Sequence, residues 1–237
     1  MKIIKYSIIA IFLIIVSKWI LTLLPSSYSN SGTIIEKTET SIKVEHTFKN
    51  LKGDIKKDFD DYCKECSLDL HLSFDMPSDY ETACGTFDPA SKTVFINAAH
   101  LNAKPDYEKA FFLFHELRHA SQYLCPEHFG SEIHRSLQYV IGYDGTCYKL
   151  VNGHYISCKL DGNEDHFTNL YLGQPHEVDA NTFAYEQVKQ LYGDSKELKA
   201  LFDFWMPRHP LPAHAYDLIF SQIDKSISCI SPLEETL

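Results

Sequence analysis

The chain has 237 residues and a formal net charge of -10, with 22 Lys and Arg against 32 Asp and Glu. An acidic balance of this size disfavours a phosphate-binding surface, so nucleic acid is excluded as an expected partner. The chain contains seven cysteines. Because this number is odd, at least one cysteine of an exported protein is expected to be free, metal-bound or paired with another chain.

The N-terminal segment, residues 1–25, is predicted to be a signal peptide or a transmembrane anchor. Two lysines precede a nearly unbroken apolar stretch from Ile8 to Val16. Ser27 and Ser29 offer a cleavage site, whereas an uncleaved segment is long enough to cross a bilayer and would attach the protein to the membrane. In both cases the positive-inside rule predicts that the remainder of the chain is exported.

Residues 26–45 are rich in Ser, Thr and Glu and are predicted to form a stalk, which leaves residues 46–237 as one domain. At the start of this domain, apolar residues recur at helical intervals from Leu51 to Cys66. The segment from Leu68 to Phe74 then alternates between apolar and polar residues. These periodicities predict a helix followed by a half-buried strand.

The cysteines near this helix do not predict a site. Cys63 and Cys66 form a CxxC pair, but no second CxxC completes a zinc ribbon, and the surrounding pattern is that of an ordinary amphipathic helix. A redox role for the pair is therefore disfavoured. Cys84 would be the third ligand of a deformylase-like site, yet its neighbours do not resemble the deformylase motif.

A second strand region is predicted from Gly85 to Asn97, with a turn at Asp88 to Ser91. It ends in the apolar run from Thr93 to Asn97, immediately before the next helix. A strand in this position can form the edge of a cleft, where an extended peptide adds through main-chain hydrogen bonds. A covered core strand would have the same composition, so both interpretations stay open.

The helix predicted from Tyr107 to Leu124, with Asp106 as its N-cap, contains the pattern His-Glu-Leu-Arg-His. His115 and His119 are four residues apart and share one face of the helix, so both imidazoles can bind one Zn²⁺ while Glu116 acts on a metal-bound water. This is the HExxH pattern of zinc peptidases. A pattern of five residues also arises by chance, and the helical context favours the functional interpretation.

A β-hairpin is predicted in the segment that follows this helix. Residues 148–151 and 154–157 flank Asn152-Gly153, the pair favoured in a two-residue type I′ turn. Counting outward from the turn places Cys147 opposite Cys158. The sequence predicts a disulfide between them, with two half-buried thiols as the alternative, because geometry at a hydrogen-bonded pair is less favourable for the bond.

A catalytic zinc with two histidine ligands needs a third ligand from the protein. The helix predicted from Pro175 to Gly193 places Glu177 on the same face as two alanines, whose small side chains permit a close approach to the HExxH helix. Glu177 is therefore ranked first as the third ligand, with Asp179 and His176 as rivals. Asn181, one turn further on, is predicted to hydrogen-bond a ligand histidine.

The C-terminal part is predicted to contain two helices that pack on the catalytic core. The first spans Ser195 to Trp205, and the second carries apolar residues from Leu218 to Ile227, with a Pro-rich turn between them. His214 and Tyr216 are candidates for a donor to a developing oxyanion. A structural role is favoured for both, because nothing in their spacing places them near zinc.

The HExxH pattern, followed by Glu177-Val178-Asp179-Ala180-Asn181-Thr182-Phe183-Ala184, resembles the small Glu-zincins of the ImmA/IrrE type, in which the second helix reads roughly ExxANxFA. The resemblance covers roughly residues 50–192. It implies an α+β fold with a compact zincin-like core, made of a helix, a small sheet, the HExxH helix and the Glu-bearing helix, followed by C-terminal helices. It also implies that His115, His119 and Glu177 bind zinc and that Glu116 is the general base.

The chain departs from that group in two ways. Arg118 stands where the group usually has Gly, and the gap between the two helices is longer. The expected function is that of a zinc-dependent peptidase, which hydrolyses a peptide or protein substrate with a metal-activated water. A zinc-binding sensor or partner-recognition module without turnover is the alternative, and an accidental motif would bind no zinc.

Overall fold

The computed structural model describes residues 55–212 and 214–228. These residues form an α+β structure with eight helices and two three-stranded sheets. The predicted signal or anchor segment, residues 1–25, and the predicted stalk, residues 26–45, lie outside the described residues. Among the helices that are described, none combines the length and the apolar character needed to cross a bilayer.

The helices and strands follow one another as the sequence analysis predicts in outline, with shorter strands in the first sheet, longer strands in the hairpin and four additional elements. The helices are α1 (55–65), α2 (Ala98–Leu101), α3 (Asp106–Leu124), α4 (Ser131–Ser136), α5 (Glu164–Leu172), α6 (Pro175–Tyr192), α7 (Lys196–Phe204) and α8 (Ala215–Ser228). The strands are β1 (His71–Ser73), β2 (Gly85–Asp88), β3 (Thr93–Ile96), β4 (Tyr139–Ile141), β5 (Thr146–Val151) and β6 (His154–Lys159). The sequence analysis did not predict α2, α4, β4 or α5.

The first sheet has the strand order β1-β3-β2. β1 runs parallel to β3, and β2 pairs with β3 in the antiparallel direction. Val94 and Ile96 of β3 are completely buried in the same core cluster as the apolar face of α3. Of the two interpretations of this strand, the covered core strand is therefore the one observed. β2 is the edge strand of this sheet among the described residues.

α3 and α6 form the centre of the domain, and their ends differ slightly from prediction. α3 begins at Asp106 itself, so Pro105 occupies the N-cap position and Asp106 contributes a negative charge to the first turn. α6 begins at Pro175 and is followed by Gly193, whose φ of 87° is a left-handed conformation that glycine adopts without strain. Ala180 and Ala184 are fully buried in α6. Their small side chains allow the two helices to approach closely.

The second sheet, β4-β5-β6, contains the predicted hairpin. Asn152 and Gly153 have φ values of 51° and 78°, as a type I′ turn requires. Cys147 and Cys158 are opposite each other in the register, as predicted, but both are free cysteines. The predicted disulfide is therefore not formed in this structure. Counted from the turn, the pair lies at a hydrogen-bonded position, where the backbones are further apart than at the alternate positions.

The C-terminal helices pack on the core as predicted. The Ser195 hydroxyl caps α7 by accepting a hydrogen bond from the Leu198 backbone N–H at 3.0 Å. In α8, three isoleucines are buried together with Phe167 of α5 against the second sheet: Ile219, Ile223 and Ile227. Leu198 joins the main core that contains α3 and the first sheet. Both sheets therefore bury one face against helices, the first against α3 and the second against α5 and α8.

Candidate metal centre

Three buried side chains from α3 and α6 converge on one point. His115, His119 and Glu177 each offer a ligand atom, and these atoms lie within 4.8 Å of one another. The two histidine Nε2 atoms are 3.0 Å apart. The Glu177 carboxylate oxygens lie 3.5 Å from His115 Nε2 and 3.6 Å from His119 Nε2. The structure thus brings together the three side chains ranked first by the sequence analysis.

The spacing of these atoms fits a tetrahedral zinc ion. Ligands 2.0–2.1 Å from a tetrahedral centre are about 3.3 Å from one another, and the observed separations of 3.0, 3.5 and 3.6 Å lie on both sides of that value. Two imidazole nitrogens and a carboxylate all supply electron pairs, so a proton or a cation must lie among them. Two histidines and one glutamate also leave the fourth position of the ion open, as catalytic sites do.

Without a metal ion, His115, His119 and Glu177 share one proton, which is on His119. Burial and the neighbouring His119 lower the pKa of His115 to about 3, so His115 is neutral. Burial also acts to lower the pKa of His119, but the Glu177 carboxylate outweighs it and raises the pKa to about 9. The pKa of Glu177 lies well below its usual value, because His119 and His176 together outweigh the effect of burial. His119 therefore carries a proton at neutral pH, where a metal ion would replace it.

Gln122 fixes the orientation of the His119 ring. His119 Nδ1 lies 2.8 Å from Gln122 Oε1. The Gln122 amide donates from Nε2 to the His176 carbonyl at 2.9 Å and to Asp179 Oδ2 at 2.8 Å, so its oxygen must face the imidazole. His119 Nδ1 is then the protonated nitrogen and donates to Gln122, which leaves Nε2 available for a metal ion.

Asp179 and Arg118 support Gln122 from the outer side. Arg118 donates from Nε and Nη2 to the two Asp179 oxygens, at 2.7 and 3.0 Å. The guanidinium also lies over the rings of Phe129 and Phe183, 4.6 and 4.8 Å from their centroids. Asp179, a rival ligand in the sequence analysis, is therefore part of this support and not a member of the ligand group. Arg118, the departure from the resembling family, supplies the positive charge that pairs with it.

Glu177 is held by two further side chains. His176 Nε2 lies 3.3 Å from Glu177 Oε1, and His176 Nδ1 lies 2.6 Å from the Ser136 hydroxyl. His176, the second rival, therefore supports the ligand carboxylate and lies outside the ligand group. The hydroxyl of Tyr171 also interacts with Glu177, and burial together with this carboxylate keeps the pKa of Tyr171 well above 10.

Asn181 lies beside His115 and makes a further contact that was not predicted. Its side-chain Nδ2 donates to the Trp205 carbonyl at 2.8 Å, which ties the end of α7 to α6. Asn181 lies close enough to His115 to raise the pKa of that imidazole. However, buried His115 Nδ1 makes no hydrogen bond of acceptable geometry. Gln122 in α3 therefore contacts His119, and Asn181 in α6 lies beside His115.

Glu116 lies against the edge strand β2. Burial raises the pKa of Glu116 to about 8, against the opposing effect of His119. A Cβ atom at Gly85 would lie only 2.8 Å from Glu116 Cγ and 3.2 Å from Oε1. Only glycine therefore allows β2 to approach the glutamate this closely. Cys84, which precedes this glycine, lines a small cavity beside Glu116 but is not a member of the ligand group.

A cleft runs beside the three ligands and Glu116. Its walls come from β2 and from β4, and its other lining residues come from α3, α5 and α6; they include Gly85, Thr86, Phe87, Tyr139, Val140, Tyr123, Tyr171 and Gln174.

The outer edge of β2 has backbone groups that face away from β3. The Asn97 backbone N–H donates to the Cys84 carbonyl at 2.9 Å, so Cys84 and Asn97 form a hydrogen-bonded pair. In an antiparallel pair, hydrogen-bonded and non-hydrogen-bonded residue pairs alternate along the strands. Gly85 and Phe87 are at the non-hydrogen-bonded positions, so their backbone N–H and C=O groups point away from β3 and towards the open edge.

The residues missed by sequence reasoning are Gln122, Gly85 and Tyr171. Gln122 lies on the same face of the helix as His115 and His119, and this spacing could have predicted its contact with His119. Gly85 and Tyr171 reach the site only through the pairing of β2 and the packing of α5. Of the two oxyanion candidates of the sequence analysis, Tyr216 donates to the Leu170 carbonyl at 2.7 Å and His214 is exposed beside Asp217.

Comparisons of the chain with protein-family models, with curated proteins and with solved structures find no match in any of the three. The resemblance to small Glu-zincins stays a prediction from the motif residues.

Proposed function

We propose that the protein is a zinc-dependent peptidase with a zincin-like core, similar to the small Glu-zincins of the ImmA/IrrE type. The observation that carries the proposal is the convergence of His115, His119 and Glu177 beside a second carboxyl group, that of Glu116. A purely structural site has no need of such a carboxylate at an open position. The zinc ion, when bound by these three side chains, polarises a substrate carbonyl and lowers the pKa of water.

Glu116 is the proposed general base. Its carboxylate borders both the ligand group and the cleft, where it is positioned to take a proton from water and return it to the leaving amine. Burial keeps Glu116 protonated at neutral pH without a metal, and a divalent cation nearby favours the carboxylate. Binding of the metal ion therefore prepares the base for proton transfer.

The edge strand β2 is the proposed binding element for an extended peptide. The outward backbone groups of Gly85 and the Phe87 carbonyl lie in the wall of the cleft, whereas the Phe87 N–H donates to the Glu116 carboxylate. A substrate strand that pairs with them would pass over the metal ligands, with alternate side chains entering the cleft. The proposed substrate is thus a segment of peptide or protein in extended conformation. An exported location, anchored or secreted, is part of the same proposal.

The experiment that tests this function is a digest of an unbiased peptide library by the purified chain loaded with zinc. We expect cleavage by the wild-type protein and a loss of about 100-fold or more in the Glu116→Gln variant, because general acid–base catalysis contributes about 10² to 10⁴ to the rate. The variant should retain zinc, since Glu116 is not a ligand.

Three outcomes would contradict different parts of the proposal. A library left intact by the zinc-loaded wild type would favour the sensor or partner-recognition module. Full activity of Glu116→Gln would leave a peptidase but refute the assigned base. Loss of zinc in that variant would place Glu116 among the ligands.

A further inference from the structure

A second group of metal-binding side chains lies at the C-terminal end of α3. Cys125, Glu127 and His128 offer a thiol, a carboxylate and an imidazole whose ligand atoms lie within 4.8 Å of one another. His128 Nε2 is 3.9 Å from Glu127 Oε1. Cys125 is six residues beyond His119, which corresponds to about 9 Å along a helix. The two groups are therefore separate.

The backbone around this second group is fixed by contacts that do not involve a ligand. Pro126 begins a turn of 3-10 helix, and the His128 N–H donates to the Cys125 carbonyl at 3.1 Å. The His134 ring hydrogen-bonds the Pro126 carbonyl. Proline restricts φ, so the Cys-x-x-His segment is held in a single turn. The cysteine and the histidine therefore do not have to be ordered by the metal ion.

The end of α1 supplies another thiol. The hydroxyls of Tyr62 and Ser121 are 2.7 Å apart and join α1 to α3. Cys66 and Cys125 each follow by four residues, and their backbone N–H groups donate to the carbonyls of Tyr62 and Ser121, both at 2.9 Å. The two thiols therefore follow neighbouring helix ends, and burial, Glu127 and the Cys66 thiol all raise the pKa of Cys125. Cys66 is exposed and lies outside the group whose ligand atoms are within 4.8 Å of one another, so its side chain must leave the Tyr62 hydroxyl and turn towards the group to bind the ion.

We propose that Cys66, Cys125 and His128 bind a second zinc ion, with Glu127 as the fourth ligand. Two thiolates, one imidazole and one carboxylate are all donors that tetrahedral zinc accepts, and four protein ligands make the site structural. Each thiol releases its proton on binding. The ion would tie the end of α1 to the end of α3. The sequence pattern is C-x-x-C followed by C-x-x-H, in which Cys63 is the member left out.

Cys63 provides a matched control. It is one turn before Cys66 in the same helix, but its side chain packs against the main core, and burial raises its pKa to about 11. A buried thiol directed into the core is a poor ligand for a surface ion. Substitution of Cys63 should therefore leave the second site intact.

The test is binding of Co²⁺ to the full chain under reducing conditions. Thiolate ligands produce a charge-transfer absorption in the near ultraviolet, whereas the site of two histidines and a glutamate contains no sulfur. We expect this absorption in the wild type and in Cys63→Ser. It should be lost in Cys125→Ser and Cys66→Ser and weakened in His128→Gln, which replaces an exposed side chain and does not threaten folding.

His119→Ala separates this proposal from the proposed function, because it should lose the first site and keep the absorption. Elemental analysis should show one equivalent of zinc fewer in Cys125→Ser than in Cys63→Ser. Three results would overturn the second site. These are an absent thiolate band in the wild type, a band retained in Cys125→Ser, and a disulfide between Cys66 and Cys125 in the freshly isolated protein.

Discussion

His119 Nδ1 donates a hydrogen bond to Gln122 Oε1 at 2.8 Å, and this bond aims the opposite nitrogen of the ring at His115 and Glu177. The relationship connects the ligand group to the Arg118–Asp179 pair, since the Gln122 amide donates to Asp179. A chain of four side chains therefore determines the position of one ligand nitrogen. The contribution of each of these side chains to zinc binding or to stability can be measured by substitution.

Gln122→Met is expected to weaken zinc binding by about 10- to 100-fold, the usual cost of removing a group that orients a metal ligand. Methionine preserves the size of this fully buried side chain and removes the acceptor for His119. Competition with a chelator measures the affinity. Gln138→Met, at an exposed position, is the control and should bind zinc as the wild type does. Equal affinities in the two variants would show that Gln122 does not orient the ligand.

The zinc affinity is expected to rise with pH because His119 must lose a proton before it binds the ion. The Glu177 carboxylate outweighs burial and raises the pKa of His119 to about 9, so the proton is present below that pH and absent above it. Two displaced protons, one from His119 and one from Glu116, correspond to a gain in affinity of up to about 100-fold per pH unit below pH 8 and of about tenfold between pH 8 and pH 9. Calorimetry in buffers with different ionisation enthalpies counts the protons released. His115, with its pKa of about 3, should contribute none between pH 6 and 9. A flat affinity over that range would contradict the assigned charge of His119.

Gly85→Ala is expected to lower peptide cleavage by about 100-fold while zinc binding is retained. An added methyl group would lie 2.8 Å from Glu116 Cγ, so the base or the edge strand must move, and displacements of about 1 Å cost rates of this order. Gly130→Ala is the control, because a Cβ there meets no atom within 4 Å. Library cleavage and zinc content are the two readouts. Unchanged cleavage in Gly85→Ala would mean that β2 is not held against the base.

Arg118→Ala is expected to destabilise the metal-free protein by about 2 kcal/mol, because it removes two hydrogen bonds between charged groups that are largely buried. Arg135 forms an ion pair with Asp217 on the surface, where solvent screens the interaction. Arg135→Ala should therefore cost less than about 1 kcal/mol. Urea unfolding of both variants measures the difference. Equal losses would show that the Arg118–Asp179 pair has no special role in holding α6 against α3.

Local patterns made the ligand residues predictable, whereas the residues around them depend on tertiary packing. His115 and His119 follow from the spacing of four on a helix, and Glu177 follows from a helix face that carries small residues. The second contact of Asn181 had no local signal, because its amide donates to the Trp205 carbonyl at the end of α7, far along the chain. Gly85 had no signal, since its contact with Glu116 arises only when β2 pairs at the edge of the sheet.

Pairing between strands that are adjacent in the sequence was predictable, whereas the order of strands in the first sheet was not. The hairpin around Asn152-Gly153 was predictable to the residue, because its turn type and register follow from two adjacent residues. The segment from Thr93 to Asn97 was ambiguous, because edge and central strands of similar composition differ only in their neighbours. Those neighbours are β1, which pairs in parallel with one edge of β3, and β2, which pairs with the other edge. Periodicity within one segment contains no information about such a crossover.

The most direct test of a catalytic zinc in this protein is anomalous diffraction from crystals of the zinc-loaded chain at the zinc absorption edge. The predicted result is a peak within bonding distance of His115 Nε2, His119 Nε2 and the Glu177 carboxylate, with the fourth position open to the cleft. No peak between these three side chains, or an ion enclosed there by four protein ligands, would contradict it.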